Sequence, residues 1–327
     1  KQKTAYEIMP SLVGSEMCIR DRDYRFGSLA WMEMEMKEQT KIGIGWARPH
    51  PGDAVWNEIE CVKGNYDWSR LDRTVRVAQK LGINLLITIW PYASWDQEVC
   101  HADMKETPDP FGGLLPSHKG IPCDWQAYKK FLMAMVERYD GDGKDDMPGL
   151  IYPVKYWEIA NEPEMRHGND IFFQGEPEDY VILLKKSVEA IRKADKDAKI
   201  LHAGIASSFD FSYSFWSKVF STEGIEDYFD IANVHDLQAS EDGNVKFVKD
   251  LLKENGITGK PVWVTEFSLR SGIDSEHAQI DFDKAEERIK KAFEHGAEKI
   301  FFILPPPPEL GMEGVERLKG IVEKYQL

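Results

Sequence analysis

Two apolar runs in this chain end on glutamates 104 positions apart. Glu162 closes Lys155-Tyr156-Trp157-Glu158-Ile159-Ala160-Asn161-Glu162, and Glu266 closes Pro261-Val262-Trp263-Val264-Thr265-Glu266. An apolar, β-branched and aromatic run ending on a carboxylate is how a buried parallel strand delivers an acid to the rim of a sheet. Two such carboxyl groups are the minimum equipment for breaking a glycosidic bond. One must hold a proton, to give to the departing oxygen. The other must be ionised, to attack the anomeric carbon. Each disfavours ionisation of the other, so a cation beside one decides which stays charged. Arg48, which ends another apolar run, is the candidate for that cation.

Other residues near these runs fit a sugar site. The Asn161 amide is of the right type to bind a sugar 2-hydroxyl. His235 ends the run 229–235, where a purely structural histidine is the competing reading. His50 lies two positions after Arg48, which favours a place in the site. Trp90, Tyr92 and Trp95 offer faces on which sugar C–H groups pack, against a plainer reading as core or loop anchors. Glu58, Glu60, Glu158 and Glu164 read as structural or rim residues. No His-x-His suggests a metal-dependent hydrolase, and no metal or cofactor is expected. The acidic run 140–146 lacks the residue order of a calcium loop and reads as a turn.

These residues need a frame. Strand patterns fall at 42–48, 83–89, 154–160, 199–205, 229–235, 261–266 and 299–304. Helical patterns fall between them, at 29–39, 71–81 (with Gly82 as its cap), 178–193 and 284–295. Strands alternating with helices mean βαβ units and a parallel sheet. The spacing of the two glutamates is three units of about 35 residues, near the ~31 per unit of a 250-residue barrel. The count is seven strands. An eighth must come from residues before Ser28 or be missing, which would open the sheet. The connection over 91–122 is long for a compact domain and leaves the face where barrel active sites lie.

With Asn161-Glu162 after a fourth strand and Glu266 at a seventh, the chain resembles the retaining (β/α)8-barrel glycosidases of clan A, nearest to families 39, 42 and 5. The stretch Trp46-Ala47-Arg48-Pro49-His50 through Gly64-Asn65-Tyr66-Asp67-Trp68 carries the likeness to families 39 and 42. The resemblance covers Phe26 to the C-terminus. It implies an α/β fold, a (β/α)8 TIM barrel whose first strand is missing or atypical. It implies a retaining β-glycoside hydrolase acting on β-linked oligo- or polysaccharides, with Glu162 as acid/base, Glu266 as nucleophile and Arg48 against the nucleophile. Transglycosylation uses the same residues. A carbohydrate-binding or impaired barrel is the alternative, should the first strand be lost. Two departures from the clan stand out. The clan's His-x-Tyr after strand 6 is His235-Asp236-Leu237 here. Its Trp after strand 8 is replaced by Phe301, Phe302 and then Pro305-Pro306-Pro307-Pro308.

The chain has 327 residues with 41 Lys and Arg against 56 Asp and Glu, a net charge of −15. That charge argues against nucleic acid and anionic membranes as partners and for plain solubility; a carbohydrate partner is what the resemblance implies. No apolar run approaches the ~20 residues of a membrane span. Residues 11–22 read as a translated sequencing-library adapter, so residues 1–22 are expected to be a non-native leader and 23–327 a single catalytic domain. A metagenomic source follows from that reading, and localisation stays open between cytoplasm and secretion. Cys100 and Cys123 bracket the long connection; a disulfide between them and free thiols are both consistent with the sequence.

Overall fold

The computed structural model describes residues 23–166, 170–237, 243–271 and 278–326. The adapter-like stretch, residues 1–22, lies outside the described residues. Eight parallel strands run β1 (Phe26–Ser28), β2 (Trp46–Ala47), β3 (Asn84–Ile89), β4 (Tyr156–Ile159), β5 (Lys199–His202), β6 (Ala232–Asp236), β7 (Val262–Ser268) and β8 (Ala297–Ile303). Their sheet order is β5-β4-β3-β2-β1-β8-β7-β6. Single bridges Leu201–Ile231 and Ile205–Val234 join β5 to β6. The architecture is a (β/α)8 barrel, closed at that seam by isolated bridges rather than a continuous ladder.

The first stave is present. β1 is three residues long and pairs with β8 (Gly27 opposite Phe301) and with β2 (Gly27 opposite Trp46). It escapes a pattern search because so short a strand has no period to read. Gly27 is required there, since a Cβ would meet the Phe301 ring at 2.3 Å. β2 is also shorter than the pattern over 42–48, because Gly43 adopts a positive φ of 83° before it.

Strand alternation stacks the interior in layers. Tyr156, Trp263 and Trp46 come from β4, β7 and β2 and meet inside the N-terminal end, with ring centroids 4.9–5.2 Å apart. Lys299 on β8 lies over Trp46 and Trp263 and donates to the Tyr24 carbonyl. One step along the strands, Thr88, Glu158, Asn233 and Thr265 form a polar layer, all buried. Barrel mouths form one step further.

The outer ring is α1 (Glu33–Lys41), α2 (Ser69–Leu81), α3 (Trp125–Tyr139), α4 (Pro177–Ala194), α5 (Asp210–Phe220), α6 (Asn244–Glu254), α7 (Phe282–Glu294) and α8 (Pro307–Tyr325). The caps follow sequence chemistry. Gly82 ends α2 at φ 68°, Pro177 opens α4, and the Asp281 side chain caps α7. α1 starts later than the pattern 29–39, because Glu35 reaches back to accept from the Trp31 and Met32 amides.

The connection over 91–122 is a built element. Cys100 and Cys123 form a disulfide, which decides between pairing and free thiols. Asp96 accepts from the Cys123 and Asp124 amides, and Gln97 from Gly120. Buried Lys119 donates to Thr107 and to the Pro108 carbonyl. The acidic run 140–146 is a turn in which Asp146 accepts from the Gly141 and Gly143 amides. None of the described helices is long and apolar enough to cross a membrane.

Candidate active site

The chain leaves β4 through two non-glycine residues at positive φ, Ala160 (64°) and Glu162 (39°). Such backbone costs energy and persists only where surrounding packing holds it. The turn swings the Glu162 carboxyl over the barrel mouth. Glu266 arrives on β7, and its neighbour in the ladder is His235 of β6. One carboxylate oxygen of Glu162, one of Glu266 and a ring nitrogen of His235 all lie within 4.8 Å of one another. The two glutamates sit on one face of the sheet, at the C-terminal ends of their strands.

Arg48 organises the layer beneath. Its Nη1 donates to Glu266 Oε1 at 2.8 Å, and its Nη2 to Asn161 Oδ1 at 2.7 Å. Its Nε and Nη2 grip Glu158 at 2.7 and 3.1 Å. Glu158 also accepts from Thr88 Oγ1 and from Asn233 Nδ2, and Thr265 Oγ1 donates to Asn233 Oδ1 at 2.6 Å. The guanidinium is fully buried yet surrounded by acceptors. Burial opposes its charge, but Glu158 and Glu266 override that and hold it protonated.

The two mouth carboxyls are driven apart. Burial raises Glu162, and the Glu266 charge raises it further, against the lowering influence of His235 and Arg48. Burial would also raise Glu266. The charges of His235 and Arg48, with the Arg48 hydrogen bond, overcome it and bring Glu266 down to about 2. His235 Nδ1 lies 2.6 Å from Glu162 Oε1, and its Nε2 lies 3.7 Å from Glu266 Oε1 without a hydrogen-bond partner. Burial lowers His235, but the two glutamates raise it on balance. The ring fits because Gly204 faces it; a Cβ there would stand 2.0 Å from Nε2. His50 accepts from Arg48 at 3.3 Å and is driven down to about 3, chiefly by burial, so it is neutral.

Arg48, His50, Asn161, Glu162, His235 and Glu266 are therefore brought together. Trp90 is fully buried, donates to the Pro51 carbonyl, and reaches the cluster only through the His50 ring at 5.9 Å. Trp95 packs edge-on against Trp56 and donates to the Glu60 carbonyl. Tyr92 is buried and bonds the Phe172 carbonyl. The aromatic group on the cluster is Phe111 from the long connection, edge-on to His50 at 5.2 Å and stacked on Phe172 at 5.9 Å.

Of the two readings the sequence left open for Glu158 and Glu164, structural or rim, the structure takes the first: both are buried beside the site. Glu158 was legible from period-2 alternation, which puts it on the same face of β4 as Tyr156 and Ala160. Asn233 follows from the same rule, two positions before His235. Phe111 had no local signal, because only the folded loop brings it to His50. Glu58 and Glu60 are structural as read: Glu58 pairs with Arg70, and Glu60 accepts from Trp56 Nε1 and the Gly64 amide.

Residues 153–299 match the family model described as glycosyl hydrolase catalytic core. No curated protein matches the sequence. Among solved structures, a monomeric β-xylosidase from Caulobacter crescentus superposes with a TM-score of 0.66 at 14% identity, covering 91% of this chain and 67% of that one. A family 39 glycoside hydrolase from Bacteroides cellulosilyticus gives 0.64 at 15% identity, over 94% of this chain and 65% of that one. A glucosidase from Croceicoccus marinus gives 0.64 at 13%, over 92% and 67%. The chain thus spans about two thirds of the length of these structures, and at such identity the likeness is one of fold. Residues 153–299 include both strands that carry the mouth glutamates, so the part of the chain similar to a glycosyl hydrolase catalytic core is the part that presents them, on a (β/α)8 barrel.

Proposed function

We propose that the protein is a retaining β-glycosidase acting on β-linked oligo- or polysaccharides, and that residues 23–327 are one catalytic domain. The observation that carries this reading is the Glu162–Glu266 pair, with oxygens within 4.8 Å and ionisation driven in opposite directions. Retaining enzymes hold their carboxyls about 5–5.5 Å apart, whereas inverting ones leave room for a water at about 6.5–9.5 Å.

In this reading ionised Glu266 attacks the anomeric carbon and forms a glycosyl-enzyme bond. Glu162 gives its proton to the departing oxygen, then takes one from the incoming water. Arg48 keeps Glu266 charged and aimed, the task a tyrosine performs in the clan and Leu237 cannot. Asn161, its Oδ1 held by Arg48, has its amide nitrogen left for the 2-hydroxyl. His235 binds one oxygen of Glu162, which leaves the other for the leaving group. Phe111 and His50 offer the apolar wall that the missing tryptophan after β8 would have provided.

Hydrolysis of a panel of aryl β-glycosides and of β-glucans, xylans and mannans by the purified protein tests the reading. Release of aglycone or reducing sugar from at least one, lost in Glu266→Ala, supports it. Binding of these sugars with no turnover across the panel would contradict it.

A further inference from the structure

Glu164 is a third carboxyl in this site, and the acid/base scheme does not use it. It lies two positions after Glu162, on the strained turn, and is 3% exposed. Its Oε1 accepts from the Ala206 amide at 2.7 Å, while Oε2 is buried with no partner. The indole N–H of Trp216 on α5, which is also buried without a hydrogen bond, stands beside this carboxyl. The groups that face this carboxyl are neutral N–H donors, the Ala206 amide and the Trp216 indole, and burial without a cation beside it favours the protonated form.

The position matters more than the burial. Ala206 follows Ile205, whose bridge to Val234 is one of the two that close β5 to β6. Ile205 also accepts the His235 amide at 2.8 Å. His235 in turn holds Glu162. Glu162 and Glu164 thus reach the same seam by separate routes, one through the His235 side chain and one through the Ala206 backbone. Both ends of the turn are anchored where the barrel is least continuously paired.

We propose that Glu164 is a positioning residue for the acid/base, pinning the turn that carries Glu162 to the β5–β6 seam and setting a second carboxyl beside it. This rests on the reading of Glu162 as acid/base. Burial first, then the Glu162 charge, push Glu164 up to about 7 against the lowering influence of the Ala206 amide, its own amide and Trp216. The titratable groups around it are Glu162 on its own turn, Tyr180 from α4, whose hydroxyl accepts from Ala203, and neutral His202 from β5, its ring tilted against that of Trp216. No cation among these favours its ionisation.

Glu164→Gln keeps an acceptor for Ala206 without a charge; Glu164→Leu removes both. Two measurements follow. Thermal midpoints of wild type and Glu164→Gln are compared from pH 5 to pH 8 without substrate. A carboxyl raised by folding stabilises below its unfolded value and loses that contribution as pH rises through about 7. The wild-type midpoint relative to Glu164→Gln should therefore fall across this range, by about 3 °C. Parallel curves would overturn the buried neutral carboxyl. In activity, Glu164→Leu should have kcat about tenfold below Glu164→Gln with KM unchanged, and Glu164→Gln should show an alkaline limb about half a pH unit below wild type. Equal kcat for the two variants, or superimposed limbs for wild type and Glu164→Gln, would overturn the positioning role. A wild type with no glycosidase activity would sink the function proposed above, while the thermal comparison still decides for or against Glu164.

Discussion

Arg48 holds Glu158 with two nitrogens, at 2.7 and 3.1 Å, and both side chains are fully buried. The nucleophile candidate Glu266 receives only one further nitrogen of the same guanidinium. Glu158 is therefore the anchor that aims Arg48, and Arg48 is what aims Glu266. The polar layer of Thr88, Glu158, Asn233 and Thr265 is the mounting of the site. Removing one partner of a buried pair leaves an uncompensated charge. Glu158→Ala should destabilise the fold by about 3–5 kcal/mol in urea unfolding and also reduce activity. A variant with wild-type stability would show that the pair contributes nothing to holding the layer.

Arg48→Ala should move the acid limb of the kcat/KM profile to higher pH. Glu266 is held below the ordinary carboxylate range despite burial, by neighbouring charges that include Arg48. Losing that cation lets burial and Glu162 push it up, so a smaller fraction is ionised at mildly acidic pH. The same sign applies to stability. A depressed carboxylate contributes above its unfolded value and loses that contribution as pH falls toward about 2. An acid limb identical to wild type would place the control of Glu266 elsewhere.

Glu162→Ala should cost little with aryl leaving groups that need no protonation and much with alkyl glycosides. The gap should approach the 10²–10⁴-fold contribution typical of a general acid. A Brønsted plot of kcat/KM against leaving-group acidity reads it directly. Equal damage across good and poor leaving groups would remove Glu162 from the acid role.

Cys100→Ser should lower stability by about 3 kcal/mol, the chain-entropy value for a closed loop of this size. The bond fixes the connection that carries Phe111 to His50, so KM for glycosides should rise as well. Equilibrium unfolding of the variant beside reduced and oxidised wild type gives the first quantity, and initial-rate kinetics the second. No change in either would mean that the Asp96 and Gln97 hydrogen bonds suffice to hold the loop.

Seven of the eight staves were legible as apolar runs, because buried parallel strands suppress polar residues over several positions. β1 was not, since three residues carry no period and its identity rests on pairing with β8 and β2. Within the site, Glu162, Glu266 and Arg48 were visible because each ends such a run. Glu158 and Asn233 were visible in principle but needed the inward face to be assigned strand by strand. Phe111 and the Cys100–Cys123 bond depend on how a long connection folds back, which sequence spacing does not encode. For Glu164 the sequence left structural and rim readings open, because its partner is the Ala206 amide after the neighbouring strand β5, a contact of 42 positions' separation.

The central claim is that Glu266 becomes covalently bonded to the sugar. Incubation with 2,4-dinitrophenyl 2-deoxy-2-fluoro-β-glycosides of the gluco, galacto, xylo and manno series, followed by proteolysis and mass spectrometry, tests it most directly. The electron-withdrawing fluorine slows both steps, and the activated leaving group lets the first outrun the second, so the intermediate accumulates. The account predicts one added fluorosugar on the peptide containing Glu266, with loss of activity that recovers as the adduct turns over. An adduct on Glu162 or on any other residue, or inverted product from a substrate the enzyme does turn over, would contradict it.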